Sequence, residues 1–198
     1  MIFKLAFAFL FLGAIWTVVG VVRRLKAAGR ATSPPLAHEI AVLKAIRPLL
    51  GVIFYGGVIW WMIDESSLPF GVELPLAVRF VGIAFGLIGL WLFDRAAREL
   101  GSYFSSGVHL YDDHRLVTTG PYRWVRHPIY LAFVVIMVGV LLMSANLLIG
   151  LSGLLLVLLI PPLRINQEER LLADRFGASY RDYQARVACI VPGIRRTS

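Results

Sequence analysis

A block of polar residues at positions 120–130 carries side chains that could bind a small anion. It opens with a Gly-Pro pair, which is typical of a turn, and Pro128 suits the first position of a helix. Arg126 and His127 would then lie at a helix N-terminus, where backbone N–H groups and the helix dipole attract negative charge. Arg126 could also grip a carboxylate or phosphate through two hydrogen bonds. An anchor in the lipid headgroup layer is an equally good interpretation of this block, because tyrosine, tryptophan and arginine favour that layer.

A second block places two adjacent carboxylates, Glu168 and Glu169, shortly after Pro161-Pro162. On a helix the two side chains would diverge by about 100°, which predicts different roles. Carboxylates can bind ribose hydroxyls, hold a cation or act as a base. For a bare Glu-Glu pair, a solvated first turn of a helix is the simpler interpretation.

The remaining candidates for metal or nucleophilic chemistry are weaker. His109 and His114 flank Asp112-Asp113, but two histidines five residues apart share a helix face poorly. Cys189 is the single cysteine, which excludes a disulfide framework and a multi-cysteine metal site. We therefore expect no metal site.

The elements that must position these blocks are apolar. Hydrophobic residues make up 58% of the 198 residues and charged residues 16%, which excludes a disordered chain and disfavours an ordinary soluble enzyme. Four long stretches are nearly free of charge: 5–22, 49–63, 74–93 and 129–163. The last is too long for one membrane crossing, and Ser144-Ala145-Asn146 suggests a tight turn within it. The sequence predicts an all-α, polytopic membrane bundle of five transmembrane helices, the last two spanning about 129–143 and 147–163.

The basic residues predict the orientation of this bundle. Of the 20 lysines and arginines, 18 lie in three alternate segments, 23–47, 94–128 and 164–198. By the positive-inside rule the N-terminus lies outside, and the C-terminal helical tail is cytoplasmic. The net charge of +8 therefore reflects the orientation of the protein in the membrane, and it does not predict nucleic-acid binding. The basic residues should also attract anionic membrane lipids.

We expect two domains. Residues 1–93 would hold three transmembrane helices and a cytoplasmic linker at 23–47. Residues 94–198 would hold the chemistry, with a helical hairpin at 129–163 and the tail. The first apolar segment is read as a retained anchor, because its basic residues follow the apolar core.

The third helix carries two further features. Gly82 and Gly86 permit close helix contact, and packing inside the bundle is favoured over a dimer interface. Arg79 should either snorkel outward or pair with Glu73.

Taken together, the two blocks resemble a known family. The runs that carry the resemblance are 114–122 (His-Arg-Leu-Val-Thr-Thr-Gly-Pro-Tyr), 126–130 (Arg-His-Pro-Ile-Tyr), 168–172 (Glu-Glu-Arg-Leu-Leu), 176–177 (Phe-Gly) and 180–183 (Tyr-Arg-Asp-Tyr). In this order, over roughly residues 94–192, they resemble the isoprenylcysteine carboxyl methyltransferase family, part of a wider group of membrane methyltransferases that includes phospholipid methyltransferases.

The resemblance implies S-adenosylmethionine as cofactor, bound by a helical pocket with no sheet. The cofactor-binding positions it implies are Tyr122, His127, Pro128, Tyr130, Glu169 and Tyr180. The catalytic positions it implies are Arg126, Glu168 and Glu169. Tyr183 matches a second aromatic position of the tail.

The expected function is therefore methyl transfer from S-adenosylmethionine to a lipophilic acceptor at the cytoplasmic interface, in the inner membrane if the source is bacterial. The acceptor could be the carboxylate of a prenylcysteine-like compound or a lipid. Two alternatives stay open: a sterol-reductase-like enzyme that uses NADPH, and a membrane scaffold without activity. Oligomeric state is not predicted.

Overall fold

The computed structural model of the chain describes residues 1–29, 41–104, 114–159 and 161–191, with only the backbone for 41–45 and 161–163. Within these ranges the chain is helical, and two isolated β-bridges are its only extended pairing. This confirms the expected all-α class for the described part of the chain. The α-helices are α1 Ile2–Ala27, α2 Ala41–Ile63, α3 Leu76–Leu100, α4 Pro128–Ser144, α5 Leu147–Leu159, α6 Pro161–Phe176 and α7 Ala178–Arg186.

Among the described residues, four helical segments are long and apolar enough to cross a membrane. They are Ile2–Ala27, Ile46–Ile63, Leu76–Tyr103 and Leu147–Phe176. The helix α4 is apolar but has 17 residues, so at 1.5 Å per residue it reaches about 25 Å. The count of five crossings therefore stays a prediction.

The tight turn predicted within the last apolar stretch is present. The helix α4 ends at Ser144, Ala145 has a φ of 48°, and α5 begins after Asn146. The Asn146 side chain accepts hydrogen bonds from the backbone N–H of Leu148 at 3.0 Å and of Ile149 at 3.3 Å. This is helix N-capping, which satisfies donors that would be exposed to apolar surroundings.

The described residues of the last apolar stretch are helical on both sides of residue 160, which lies outside the described residues. Pro161 and Pro162 lie in the helical part that follows it. The predicted end of the span at residue 163 therefore stays a prediction. Farther on, Gly177 has a φ of 54° and lies between α6 and α7, where it separates the two helices.

The chain divides into two compact units that alternate along the sequence. One unit consists of Met1–Gly13, His38–Leu90 and Phe133–Ile160. The other consists of Ala14–Ala37, Trp91–Ala132 and Pro161–Ser198. The expected division of the chain at residue 93 stays a prediction.

In the first unit, glycines bring α3 and α4 into backbone contact. A Cβ atom on Gly139 would lie 2.7 Å from both the Gly82 carbonyl oxygen and the Gly86 nitrogen. A Cβ atom on Gly82 would lie 2.8 Å from the Met143 nitrogen. The glycines of α3 therefore serve packing inside the chain, as expected, because any side chain would collide with rigid backbone.

Arg79 pairs with a different carboxylate from the one expected. Its Nη2 lies 2.9 Å from Glu65 Oε1, where the sequence suggested Glu73. Its Nε also donates to the Met143 carbonyl at 3.0 Å, and the guanidinium lies 4.2 Å above the Phe3 ring. Met143 lies in the last turn of α4, where carbonyls lack intrahelical partners, and the arginine satisfies one of them.

We expect Gly139→Ala to destabilise the protein by about 1–3 kcal/mol, because the backbone of α3 cannot move away from the new methyl group. The measurement is thermal unfolding in detergent. Gly56→Ala is the matched control, since Gly56 lies in α2 with nothing within 4 Å of its Cβ position. That control should be neutral or slightly stabilising through helix propensity, and equal effects of the two changes would contradict the close contact.

Candidate active site

The C-terminal tail pairs with the segment that precedes α4. Val125 and Ala188 form a parallel β-bridge. The backbone N–H of Arg126 donates to the Ala188 carbonyl at 2.8 Å, and that of His127 donates to the Cys189 carbonyl at 3.0 Å. The sequence offered these two N–H groups to an anionic ligand, but the tail binds them. This pairing fixes the backbone of Arg126 and His127, and therefore the positions from which their side chains extend.

The Arg126 guanidinium binds groups of the chain itself. Its Nε lies 2.7 Å from Glu169 Oε1. Its Nη1 donates to the carbonyls of Val187 at 2.5 Å and Gln184 at 3.2 Å. Only 8% of the side chain is exposed. Arg126 therefore holds Glu169 and the tail in place, which differs from the expected grip on a ligand.

His127 lies between the two carboxylates of α6. Its Nε2 is 3.2 Å from Glu169 Oε1, and its Nδ1 is 3.4 Å from Glu168 Oε2. An imidazolium can donate from both nitrogens at once, whereas a neutral imidazole can donate from one. Burial lowers the pKa of His127, but the hydrogen bonds and charges of the two glutamates outweigh it and raise the pKa above 6.5. The arrangement favours the charged ring.

Apart from His127, the two glutamates have separate partners. Glu168 Oε1 accepts from the Tyr130 hydroxyl at 2.7 Å. Glu169 Oε2 accepts from Gln184 Nε2 at 3.0 Å, in addition to the Arg126 contact. Their side chains are 27% and 17% exposed, respectively. Both carboxylates thus keep surface through which a ligand could reach them.

Three tyrosines line the tail side of this network. The Tyr183 hydroxyl donates to the Tyr122 carbonyl at 2.6 Å, and both residues are buried. Tyr180 is 1% exposed, its ring lies 6.0 Å from that of Tyr183, and its hydroxyl oxygen is buried without a hydrogen-bond partner among the described residues. Burial raises the pKa of Tyr180, with Glu169 adding to the effect. Buried hydroxyls are nearly always hydrogen-bonded, so this one awaits a partner.

A turn at Gly120 precedes Tyr122 and positions it. Gly120 has a φ of 58°, and a Cβ atom there would lie 2.8 Å from Glu99 Oε2. The Thr119 hydroxyl donates to the same carboxylate. Glu99, at the end of α3, therefore holds the turn that leads to Tyr122, a role that the sequence did not suggest.

The structure gathers all the site residues expected from the sequence in one unit. Pro128 is the first residue of α4 and is fully buried, as its position predicted. Gln184 and Cys189 were missed because one contributes an amide from α7 and the other a backbone carbonyl, and neither contact has a sequence signal. Of the weaker candidates, His109 and Asp112-Asp113 lie outside the described residues.

The other weak candidates acquire structural roles. His114 packs against the rings of Tyr103 and Phe176, with centroids 5.0 and 6.3 Å away. Metal-ligating atoms of Cys189, His127 and Glu169 lie within 4.8 Å of one another. The positive charge of Arg126 beside Glu169 disfavours the binding of a cation to these three residues. The expected absence of a metal site stays a prediction.

Residues 81–174 match the isoprenylcysteine carboxyl methyltransferase (ICMT) family. Through these residues, which make up just under half of the chain, it is similar to that family. It is 33% identical over 119 residues to a "Probable protein-S-isoprenylcysteine O-methyltransferase" of Oryza sativa subsp. indica, covering 59% of this chain and 62% of the relative. It is 31% identical over 170 residues to "Methanethiol S-methyltransferase 1" of Bradyrhizobium diazoefficiens, covering 81% of this chain and 56% of the relative.

A solved structure supports the fold. The "eukaryotic intramembrane Ras methyltransferase ICMT" superposes with a TM-score of 0.58 at 25% identity, over 82% of this chain and 56% of that one. Together with the apolar helices, this makes the chain a multi-pass membrane protein. The chain spans 56–62% of the length of these three relatives, which carry methyl transfer in their names.

We expect the Arg126–Glu169 pair to show strong energetic coupling. Arg126→Met and Glu169→Met should each cost about 3–5 kcal/mol, because each leaves a largely buried charge without its ion-pair partner, and the double variant should cost far less than their sum. The measurement is a double-mutant cycle of unfolding in detergent micelles. The more exposed Asp94–Arg98 pair, at 2.7 Å, is the control and should couple by no more than about 0.5 kcal/mol. Additive effects at Arg126 and Glu169 would contradict the buried pair.

The raised pKa of His127 predicts a pH dependence of stability. The folded state binds the His127 proton more tightly than the unfolded chain does, so the contribution is complete below pH 6.5 and is lost as pH rises through the folded pKa. The melting temperature of the native protein should therefore fall relative to that of His127→Gln between about pH 6 and about pH 9. Parallel curves for the two proteins would show that folding does not change the His127 pKa and would contradict the prediction.

Proposed function

We propose that this protein is an S-adenosylmethionine-dependent methyltransferase that acts on a lipophilic acceptor at the membrane surface. The observation that carries the proposal is the position of His127 between Glu168 and Glu169, inside the segment that matches the family. The names of its relatives, which include carboxyl and thiol methyltransferases, support the reaction class.

The polar groups of the site suit this cofactor. The side chains of Glu168 and Glu169 are partly exposed, and their carboxylates suit an ammonium group or ribose hydroxyls. The buried hydroxyl of Tyr180 needs a partner that a polar ligand could supply. The ring of Tyr130 could face a sulfonium cation. These residues would hold the cofactor, while Arg126 and Pro128 position them.

When bound, S-adenosylmethionine supplies an electrophilic methyl group on a positively charged sulfur. The protein needs mainly to bring the acceptor atom into line with that methyl group, since positioning supplies much of the acceleration in such displacements. A network whose charges are already fixed by ion pairs suits this task, because it need not reorganise during the reaction.

The role of a base depends on the acceptor. A carboxylate already carries the electron pair that attacks the methyl group and needs no base. A thiol or amine must lose a proton, and Glu168, through its Oε2 beside His127, is the group to accept it.

The proposed orientation puts the site on the cytoplasmic side. The basic segments 94–128 and 164–198 contain the site residues other than Tyr130 and flank the apolar hairpin. By the positive-inside rule both segments face the cytoplasm, where the cofactor is soluble. The lipophilic acceptor would arrive from the bilayer.

The proposal predicts that the purified protein binds S-adenosylhomocysteine saturably in detergent and does not bind NADPH. His127→Ala and Glu169→Ala should abolish this binding, because each removes a member of the carboxylate–imidazole network. Isothermal titration calorimetry is the measurement, with elution volume in size-exclusion chromatography as the check on folding. Glu73→Ala, an exposed glutamate of the other unit, is the matched control and should bind normally.

The alternatives predict different titrations. Binding of NADPH alone would move the protein to the reductases. A folded protein that binds neither ligand would be a scaffold. Full binding by His127→Ala would remove that residue from the site.

A further inference from the structure

The carboxylate of Glu169 is held from two other parts of the chain. Its Oε1 accepts from Arg126 Nε at 2.7 Å and contacts His127 Nε2 at 3.2 Å, both from the segment that leads into α4. Its Oε2 accepts from Gln184 Nε2 at 3.0 Å, and Gln184 lies in α7. Rotation of the carboxylate about its last bond would break a contact on one side or the other, so these partners fix its orientation.

Gln184 is attached to the ion pair at two points. Its backbone carbonyl accepts from Arg126 Nη1 at 3.2 Å, while its side-chain amide donates to Glu169. Arg126, Glu169 and Gln184 therefore form a closed ring of hydrogen bonds. Because the guanidinium holds the backbone of residue 184, the amide of that residue keeps its position relative to the carboxylate.

The two oxygens of Glu169 differ in what they can still accept. A carboxylate oxygen has two lone-pair sites. Oε1 already contacts nitrogens of both Arg126 and His127, whereas Oε2 has Gln184 as its one hydrogen-bond partner among the described residues. The Glu169 side chain is 17% exposed. Oε2 therefore keeps a lone pair for a donor of a ligand.

The chemistry of Gln184 suits the task of holding this carboxylate. An ionised carboxylate can only accept hydrogen bonds, so the amide of Gln184 must turn its NH2 group toward Glu169. The amide is neutral, and it therefore adds a donor without changing the net charge of the network. Glu169 keeps its attraction for a positively charged donor of a ligand.

We infer that Gln184 is a positioning residue, which orients Glu169 so that the remaining lone pair of Oε2 is available to a hydrogen-bond donor of the cofactor. This inference rests on the proposed methyltransferase function. Gln184 acts through Glu169 and not on the reacting atoms. Without its amide, Glu169 would stay paired with Arg126, but the position of Oε2 would have to be ordered at the expense of binding affinity.

The test measures the affinity for S-adenosylhomocysteine at pH 5 and pH 8, each relative to the native protein at the same pH. Isothermal titration calorimetry in detergent is the measurement, and elution volume in size-exclusion chromatography checks folding. Gln184→Met removes the donor at nearly constant side-chain length. Its affinity should be about 10- to 100-fold weaker at both pH values, the effect of a lost hydrogen bond to a charged group.

Gln184→Glu is the conservative variant that can restore the contact. A protonated carboxyl group can donate to Oε2 as the amide does, whereas a carboxylate cannot donate and repels Glu169. The charged groups in hydrogen-bond contact with Gln184, among the described residues, are Glu169 and Arg126, which already pair with each other. The relative affinity should therefore be low at pH 8 and should approach the native value at pH 5.

Asn166→Asp is the matched control, because it makes the same change from amide to acid at an exposed position of α6. It should bind like the native protein at both pH values. If Asn166→Asp shows the same pH response as Gln184→Glu, the response is a general effect of charge and the inference is wrong.

Other outcomes are equally decisive. Native affinity in Gln184→Met would exclude a role for the amide. An affinity of Gln184→Glu that is equally low at both pH values would show that residue 184 acts through packing, which contradicts the inference. If Gln184→Met does not fold, the pH response of Gln184→Glu decides alone.

The outcomes also distinguish the inference from the function on which it rests. A native protein that binds S-adenosylhomocysteine, together with variants that bind it equally well, would overturn the role of Gln184 and leave the proposed function standing. A folded native protein that does not bind S-adenosylhomocysteine would overturn both.

Discussion

The buried ion pair between Arg126 and Glu169 is the contact on which the rest of the site depends. It joins the residue two positions before α4 to the middle of α6, with 2.7 Å between Nε and Oε1. The same guanidinium reaches the carbonyls of Gln184 and Val187, so it also fixes the tail. Since either charge alone would be costly to bury, the two must be brought together by folding before the site exists.

The network built on this pair alternates in charge. With His127 protonated, two cations and two carboxylates balance, and the imidazolium is held by both glutamates. Because these charges balance, the partly exposed side chains of Glu168 and Glu169 could contact a ligand without a net negative charge at the site. In this network Arg126 contacts Glu169 and tail carbonyls, while its expected catalytic role stays a prediction.

Much of the fold could be predicted because membrane chains leave strong signals. Apolar runs, a Ser-Ala-Asn turn and a helix-breaking Gly177 fix the helices to within a few residues. The partner of Arg79 was not predicted: the guanidinium pairs with Glu65, where the sequence suggested Glu73. Neither a loop conformation nor the choice between two nearby carboxylates is encoded by periodicity.

The sequence by itself determined the helical class, the apolar segments and the residue types at the site, because composition and spacing act locally. The order of the Arg-His-Pro and Glu-Glu blocks along the sequence also identified them as candidate site residues. Only the tertiary structure decided their partners: tail carbonyls for the backbone of Arg126 and His127, Gln184 for Glu169, and Tyr130 for Glu168. These contacts join residues that are 15 to 62 positions apart in the sequence, so they form only when the chain has folded.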